Sequence, residues 1–359
     1  MKTLGQLNES IQRFQDVFWD RKSTDRPPVG IYDEEISLPI SFLRRPFTRA
    51  TVCPEDLNGD FVATEYEYSF SRRQVLCDDF MAFSSVWRGI PWLEAACGCP
   101  VRYSEGSLAP GHFARSAHEV AELTMPSPHP WLDCMRRETV RIAASLDPDC
   151  WLSTSILRGS SDALAAIRGM TEFFMDLHDN PSAVAKAAGR INEVLTTLLD
   201  IHYSVVQPKL GGYGHWFGYW APGKTAMLQE DALGMVSPSV YRDIFMPLNA
   251  AIVKHLGPNV LFHFHSTGYK HYKHVLEIPG LAGVQMSMEA IGPTLLDLVP
   301  VFREILEKTR FLLQVCTGFE YLPEVLRQIP HEGLYVIMPN KFIPTESAFR
   351  EFIAANFPR

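Results

Sequence analysis

The chain has 359 residues, 33 of them Lys or Arg and 41 Asp or Glu, for a formal charge of -8. That acidic balance leaves no basic footprint for nucleic acid, which calls for a positively charged face or stripe. A hydrophobic share of 46% against 21% charged residues excludes extensive disorder and suits a soluble globular chain with a large core.

The first twenty residues, MKTLGQLNESIQRFQDVFWD, read as an amphipathic helix rather than a cleavable leader, and no apolar run reaches bilayer-spanning length. A cytoplasmic protein is expected. The seven cysteines, Cys53, Cys77, Cys97, Cys99, Cys134, Cys150 and Cys316, are scattered and odd in number, which speaks against a disulfide scaffold. Cys97-Gly98-Cys99 lacks the second pair of a zinc knuckle and reads as small buried apolar residues. Up to about residue 75 the chain is Pro-rich and poorly periodic. Val75-Leu76-Cys77 then resembles the end of a strand, followed by Asp78 and Asp79. Asp79 reads as a helix cap, or as a carboxylate entering a cavity.

Further on, Cys150–Ile156 places Ser153 and Ser155 on one strand face. Residues 181–206 form a predicted helix, opened by Asp179-Asn180 and Pro181, with Val184, Ala187, Ile191, Val194, Leu195 and Leu198 as its apolar stripe. Residues 211–224 join flexible glycines to five aromatic rings. There Tyr213, Trp216 and Tyr219 either line a substrate entrance or plug the rim with their own packing. Ser237-Pro238 opens another helix, with Tyr241, Ile244, Phe245, Leu248 and Ile252 facing inward.

The most informative segment is Val260-Leu261-Phe262-His263-Phe264-His265. Side chains alternate faces along a strand, so both imidazoles share one face and Phe262 and Phe264 take the other. The same alternation recurs in 284–289, with Gln285, Ser287 and Glu289 together, and in 311–316, with Gln314 and Cys316 together. Helices over 268–277, 294–308, 321–329 and 342–356 are expected to alternate with strands over 281–289, 310–316 and 333–338. One apolar face and one polar face near the carboxyl ends fits a (β/α)8 TIM-type barrel, whose inward side chains floor an active site. The expectation is a single domain over 1–359, with 1–75 packed on the barrel as an extension.

Catalytic zinc sites use three side chains drawn from imidazole, thiolate and carboxylate. His263, His265 and Cys316 supply that inventory, and Glu289 is a fourth ligand or a base. The competing reading has the histidines merely hydrogen-bonded to polar neighbours and Cys316 as a core residue.

Several segments in order resemble the uroporphyrinogen decarboxylase superfamily, which includes methylcobamide:coenzyme M methyltransferases and other corrinoid-linked methyltransferases. They are IPWLEAACGCPVR (90–102), DLHDNP (176–181), VSPSVYRDIFMP (236–247) and HVLEIPGL (274–281). The resemblance covers most of 75–355 and implies a barrel enzyme. In the methyltransferase branch a His-x-Cys motif and a later Cys bind zinc, which activates a thiol. The matching positions here are His263, His265 and Cys316, so His265 replaces a thiolate and makes the metal centre more positive. The arginine-rich FMRQAGR motif of true uroporphyrinogen decarboxylases is replaced by PVGIYDE (28–34), which disfavours porphyrinogen decarboxylation.

The leading expectation is therefore a zinc-dependent, corrinoid-linked methyltransferase acting on a small acceptor, with a methylated corrinoid protein as partner. Gln285 and Gln314 orient the ligands or contact substrate, and a homodimer is left open. The rival readings are a metal-free decarboxylase or lyase using Asp79 or Glu289, and a non-catalytic corrinoid-binding barrel.

Overall fold

In the computed structural model the described residues are 2–33, 49–60, 63, 73–87, 89–104 and 107–357. Much of the segment before residue 75 therefore lies outside them, including Glu34 of the PVGIYDE stretch. The amino-terminal helix forms as expected: α1, Leu4–Arg13, opens with Thr3 and Gln6 in a reciprocal cap and runs into a wider turn, Phe14–Trp19.

Among the described residues eight strands lie in parallel ladders, six in one and two in the other. In chain order they are β1 (Val29–Tyr32), β2 (Phe83–Ser85), β3 (Trp151–Ser153), β4 (Met227–Gln229), β5 (Leu261–His265), β6 (Gly283–Ser287), β7 (Arg310–Gln314) and β8 (Leu334–Pro339). The larger ladder runs β1-β8-β7-β6-β5-β4, and β2 pairs with β3 alone. Helices Val299–Lys308, Leu322–Gln328 and Glu346–Asn356 follow β6, β7 and β8, as βα alternation requires.

The expected closed barrel needs one correction. Among the described residues the ladder is not continuous, because β1 and β4 each lack a laddered neighbour on one side. At the first gap, the residues just before β2 take a strand's place. The Val29 N–H donates to Asp79 Oδ2 (2.9 Å), the Ile31 N–H donates to Asp78 Oδ2 (2.7 Å), and the Asp79 N–H donates to Val29 O (2.8 Å). Buried backbone donors need partners, and here carboxylates provide them. At the second gap, the Gly159 N–H donates to Gln229 O (2.5 Å), tying the chain after β3 to the end of β4.

Two sequence expectations are overturned at the first gap. Val75–Cys77 is not a strand, and Asp79 caps no helix. Asp79 is buried and held by Arg13 (2.9 Å) and Arg26, while Lys2 and Arg73 hold Asp78. Its carboxylate is committed to β1 and the amino-terminal extension, not to the histidines.

The long helix Pro181–Val205 forms where its stripe predicts, although Asn180 occupies the cap position without a side-chain bond. Ser237 does cap the next helical stretch, accepting from the Val240 N–H at 3.3 Å. The expected helix 268–277 divides into a tight turn, Ser266–His271, and a short helix, Tyr272–Leu276.

The extension closes the amino ends of β7 and β8. The Gly333 N–H donates to Val17 O (2.8 Å), Arg310 donates to Trp19 O, and the Phe14 ring meets Tyr335 edge-on at 4.9 Å. Tyr335 on β8 then reaches across the interior to Gly218 O (3.1 Å). Gly218 has φ +69, and a Cβ there would stand 2.3 Å from the Phe80 ring, so this close approach requires glycine.

Burial works to raise the Asp79 carboxyl, but Arg26 and Arg13 outweigh it and hold the group below its ordinary value. A depressed carboxylate stabilises the fold above the ordinary value and loses that contribution as pH falls through the native one. Asp79→Asn is expected to cost about 3–5 kcal/mol at neutral pH, since it leaves buried cations unpaired. Urea titrations from neutral pH into the acid range should show the gap from wild type narrowing as pH falls.

Candidate metal centre

The carboxyl ends of β4, β5 and β6 assemble a compact polar site. The period-two reading of β5 holds: His263 and His265 point the same way, with their Nε2 atoms 3.3 Å apart. Asp231, two residues beyond β4, brings Oδ1 to 3.4 Å from His263 Nε2 and 3.6 Å from His265 Nε2. Among the described residues, this is the group of three His, Cys, Asp or Glu side chains whose donor atoms lie within 4.8 Å of one another.

Each donor is oriented by a second contact. His263 Nδ1–H donates to Gln285 Oε1, and His265 Nδ1–H donates to Glu289 Oε1. The Gln285 amide is fixed in that sense because its Nε2 donates to Ser287 Oγ (3.1 Å) and Gln314 Oε1 (3.3 Å). With both Nδ1 atoms protonated, both Nε2 atoms carry lone pairs and face Asp231. Gln229 Nε2 holds the other Asp231 oxygen at 2.7 Å. Burial works to raise Asp231, but when the imidazoles are instead fully protonated their contacts with it, His263 foremost, together with Gln229, outweigh burial and keep its pKa low. His263 is nearly buried, with a side chain 5% exposed, whereas His265 at 35% and Asp231 at 37% open the site to solvent.

Cys316 is not part of this group. Its sulfur lies 3.6 Å from the Tyr32 hydroxyl, which also receives a hydrogen bond from Gln314 Nε2 (3.2 Å). A continuous polar chain, His263–Gln285–Gln314–Tyr32–Cys316, thus joins the polar faces of β5, β6, β7 and β1, with Ser287 Oγ donating to Gln314 Oε1 at 2.6 Å. The sequence placed Cys316 on the correct face, but it ends at the far side of this chain, and Asp231 supplies the third close donor.

The acidic neighbours of Asp231 interlock. Glu230 Oε2 accepts from the Ser161 N–H (2.9 Å) at the start of α2 (Ser160–Arg168). Asp162 on the same turn accepts from the N–H groups of Asp231 (2.9 Å) and Ala232 (2.6 Å). Burial raises Glu230 to about 7, against the lowering effect of hydrogen bonds from Ser161 and Asn249. Burial and the Asp231 and Glu230 carboxylates push Asp162 well above the usual range.

The aromatic loop divides into core and wall. Tyr219 is fully buried, stacked on His215 at 4.8 Å, with its hydroxyl 3.0 Å from Thr225 Oγ1, so it lines no entrance. Tyr213 is half-buried and packs edge-on against Tyr203. Trp216 stacks on Phe217 at 3.8 Å, and its backbone N–H donates to Ser153 Oγ (3.0 Å). The ring that reaches the site is Phe217, stacked over His263 at 5.9 Å.

Sequence reasoning missed Asp231, Asp162 and Phe217. The signal for Asp231 was the acidic pair Glu230-Asp231 one residue after the short apolar run 226–228, at the β4 edge where Gln229 registers with His263.

The chain superimposes on a methyltransferase from Methanosarcina mazei with a TM-score of 0.63 and 11% identity, over 95% of this chain and 98% of that one. The likeness is one of fold. No family model and no curated protein matches the sequence. Among the described residues no helix is long and apolar enough to cross a membrane.

If Tyr219 is core, Tyr219→Phe is expected to cost about 0.5–1.5 kcal/mol through its lost hydrogen bond. Tyr219→Ala should cost roughly 3–5 kcal/mol through the cavity it leaves. Equilibrium urea unfolding measures both.

Proposed function

We propose that this chain is a metal-dependent methyltransferase of the uroporphyrinogen decarboxylase superfamily, passing a methyl group from a corrinoid to a small acceptor. The observation that carries the reading is the convergence of Asp231 Oδ1 with the Nε2 atoms of His263 and His265, each imidazole having its Nδ1–H engaged elsewhere. Two imidazoles and a carboxylate suit zinc. Zinc bound there would supply Lewis acidity, lowering the pKa of the acceptor nucleophile.

The remaining roles belong to the chain's own side chains. Glu289 accepts from His265 and raises the basicity of its free nitrogen, and Gln285 fixes the tautomer of His263. With neutral imidazoles and a single carboxylate, the donor set leaves more positive charge for the acceptor than a thiolate-rich set would. Phe217 shields the His263 face from water. The polar chain through Gln314 and Tyr32 offers hydrogen-bonding groups beside the donors, with the Cys316 thiol at its end. A methylated corrinoid protein as donor and the cytoplasm as location belong to this same reading. The decarboxylase reading loses its Asp79, whose carboxylate is spoken for by Arg13, Arg26 and the Val29 N–H.

Protein purified without a His tag and equilibrated with zinc should retain about one ion per chain by elemental analysis. Asp231→Ala and His263→Ala are each expected to weaken retention by more than ~10-fold, whereas Cys316→Ser should keep it. Zinc lost from Cys316→Ser and kept by Asp231→Ala would restore the His263, His265 and Cys316 set. Methyl transfer is read from the absorbance change of methylcobalamin in the presence of thiol or hydroxyl acceptors. No transfer to any acceptor by the zinc-loaded protein would overturn the activity.

A further inference from the structure

We propose that Asp162 is the positioning residue that aims Asp231 at the two imidazoles, a role that rests on the metal reading above. His263 sits where β5 is laddered on both sides, by β4 and β6, and His265 is laddered to β6. Asp231 has no such support. It begins the tight turn Asp231–Met235 just past β4, the strand that ends the larger ladder. The first N–H groups of such a turn have no partner within it and must find one outside.

Both carboxylate oxygens of Asp162 meet that need, Oδ2 accepting from Asp231 N–H at 2.9 Å and Oδ1 from Ala232 N–H at 2.6 Å. Asp162 is buried, and Glu230 reciprocates by accepting the Ser161 N–H one residue before it. The two carboxylates therefore clamp the turn to the first turn of α2 from opposite sides. With the backbone so held, Asp231 Oδ1 lies 3.4 Å from His263 Nε2 and 3.6 Å from His265 Nε2, and Gln229 Nε2 braces the other oxygen at 2.7 Å. An asparagine at 162 would offer a single acceptor oxygen for two donors, and alanine none.

The test measures zinc affinity by titration calorimetry and the visible spectrum of the cobalt-substituted protein. Wild type, Asp162→Ala, Asp162→Asn and Asp231→Ala are compared. Asp79→Asn serves as a control destabilised at the other gap. Asp162→Ala is expected to bind zinc about 10–100-fold more weakly and to give the cobalt spectrum of Asp231→Ala. Asp162→Asn should lie between it and wild type, and remains the informative variant if the alanine protein does not fold. Asp79→Asn should bind as wild type does. Wild-type affinity and spectrum in the Asp162 variants would overturn the role, as would a loss no greater than that of Asp79→Asn. A wild-type protein that takes up neither ion would overturn the metal reading itself, and this role with it.

Discussion

The structure depends on buried carboxylates accepting backbone N–H groups where strand pairing stops. A parallel ladder satisfies its own donors and acceptors, but its edges expose donors that burial would leave stranded. At β1 the missing neighbour is replaced by Asp78 and Asp79, and beyond β4 by the exchange between Glu230 and Asp162. The cations around Asp78 and Asp79 come from the amino-terminal segment, so the extension and the first gap stabilise each other. At the second gap the described contacts of Glu230 and Asp162 are with backbone N–H groups, the Ser161 hydroxyl and Asn249 rather than with Lys or Arg. Its charge balance is instead tilted towards the site, where Asp231 faces two imidazoles.

That arrangement explains why the polar site forms where it does. Inward side chains from β5, β6 and β7 are fixed by their ladder, and their polar members find one another: Gln285 with His263, Ser287 with Gln314, and Gln314 with Tyr32 on β1. Each amide in this chain has its donor and acceptor ends assigned by its neighbours, so the imidazole at its head has one tautomer. The opposite faces of the same strands are apolar and carry the core, with Phe262, Phe264, Met286 and Leu313 all buried.

The parts of this site that were legible in the sequence are those governed by periodicity. The shared face of His263 and His265, and of Gln285 with Ser287, follows from alternation along strands of five residues, and Glu289 just past the second strand stays on that side. Distances between strands do not follow from alternation, which is why Cys316 was placed on the right face yet ends beside Tyr32. Asp231 was invisible for another reason: β4 has three residues, too few to show a period, and the carboxylate lies beyond its end. Asp79 was misread because Val75-Leu76-Cys77 mimics a strand terminus, whereas the strand begins at Phe83. In the aromatic loop, composition alone cannot separate Tyr219, which is core, from Phe217, which reaches the histidine.

The clamp beside β4 also fixes how the site can yield. Two of its three close donors ride on a strand held from both sides, while the third stands on a short turn fastened by side chains alone. The imidazole pair therefore depends on strand pairing and the third donor on a buried acid at the start of α2, so a lesion in either support reaches the site by a separate route.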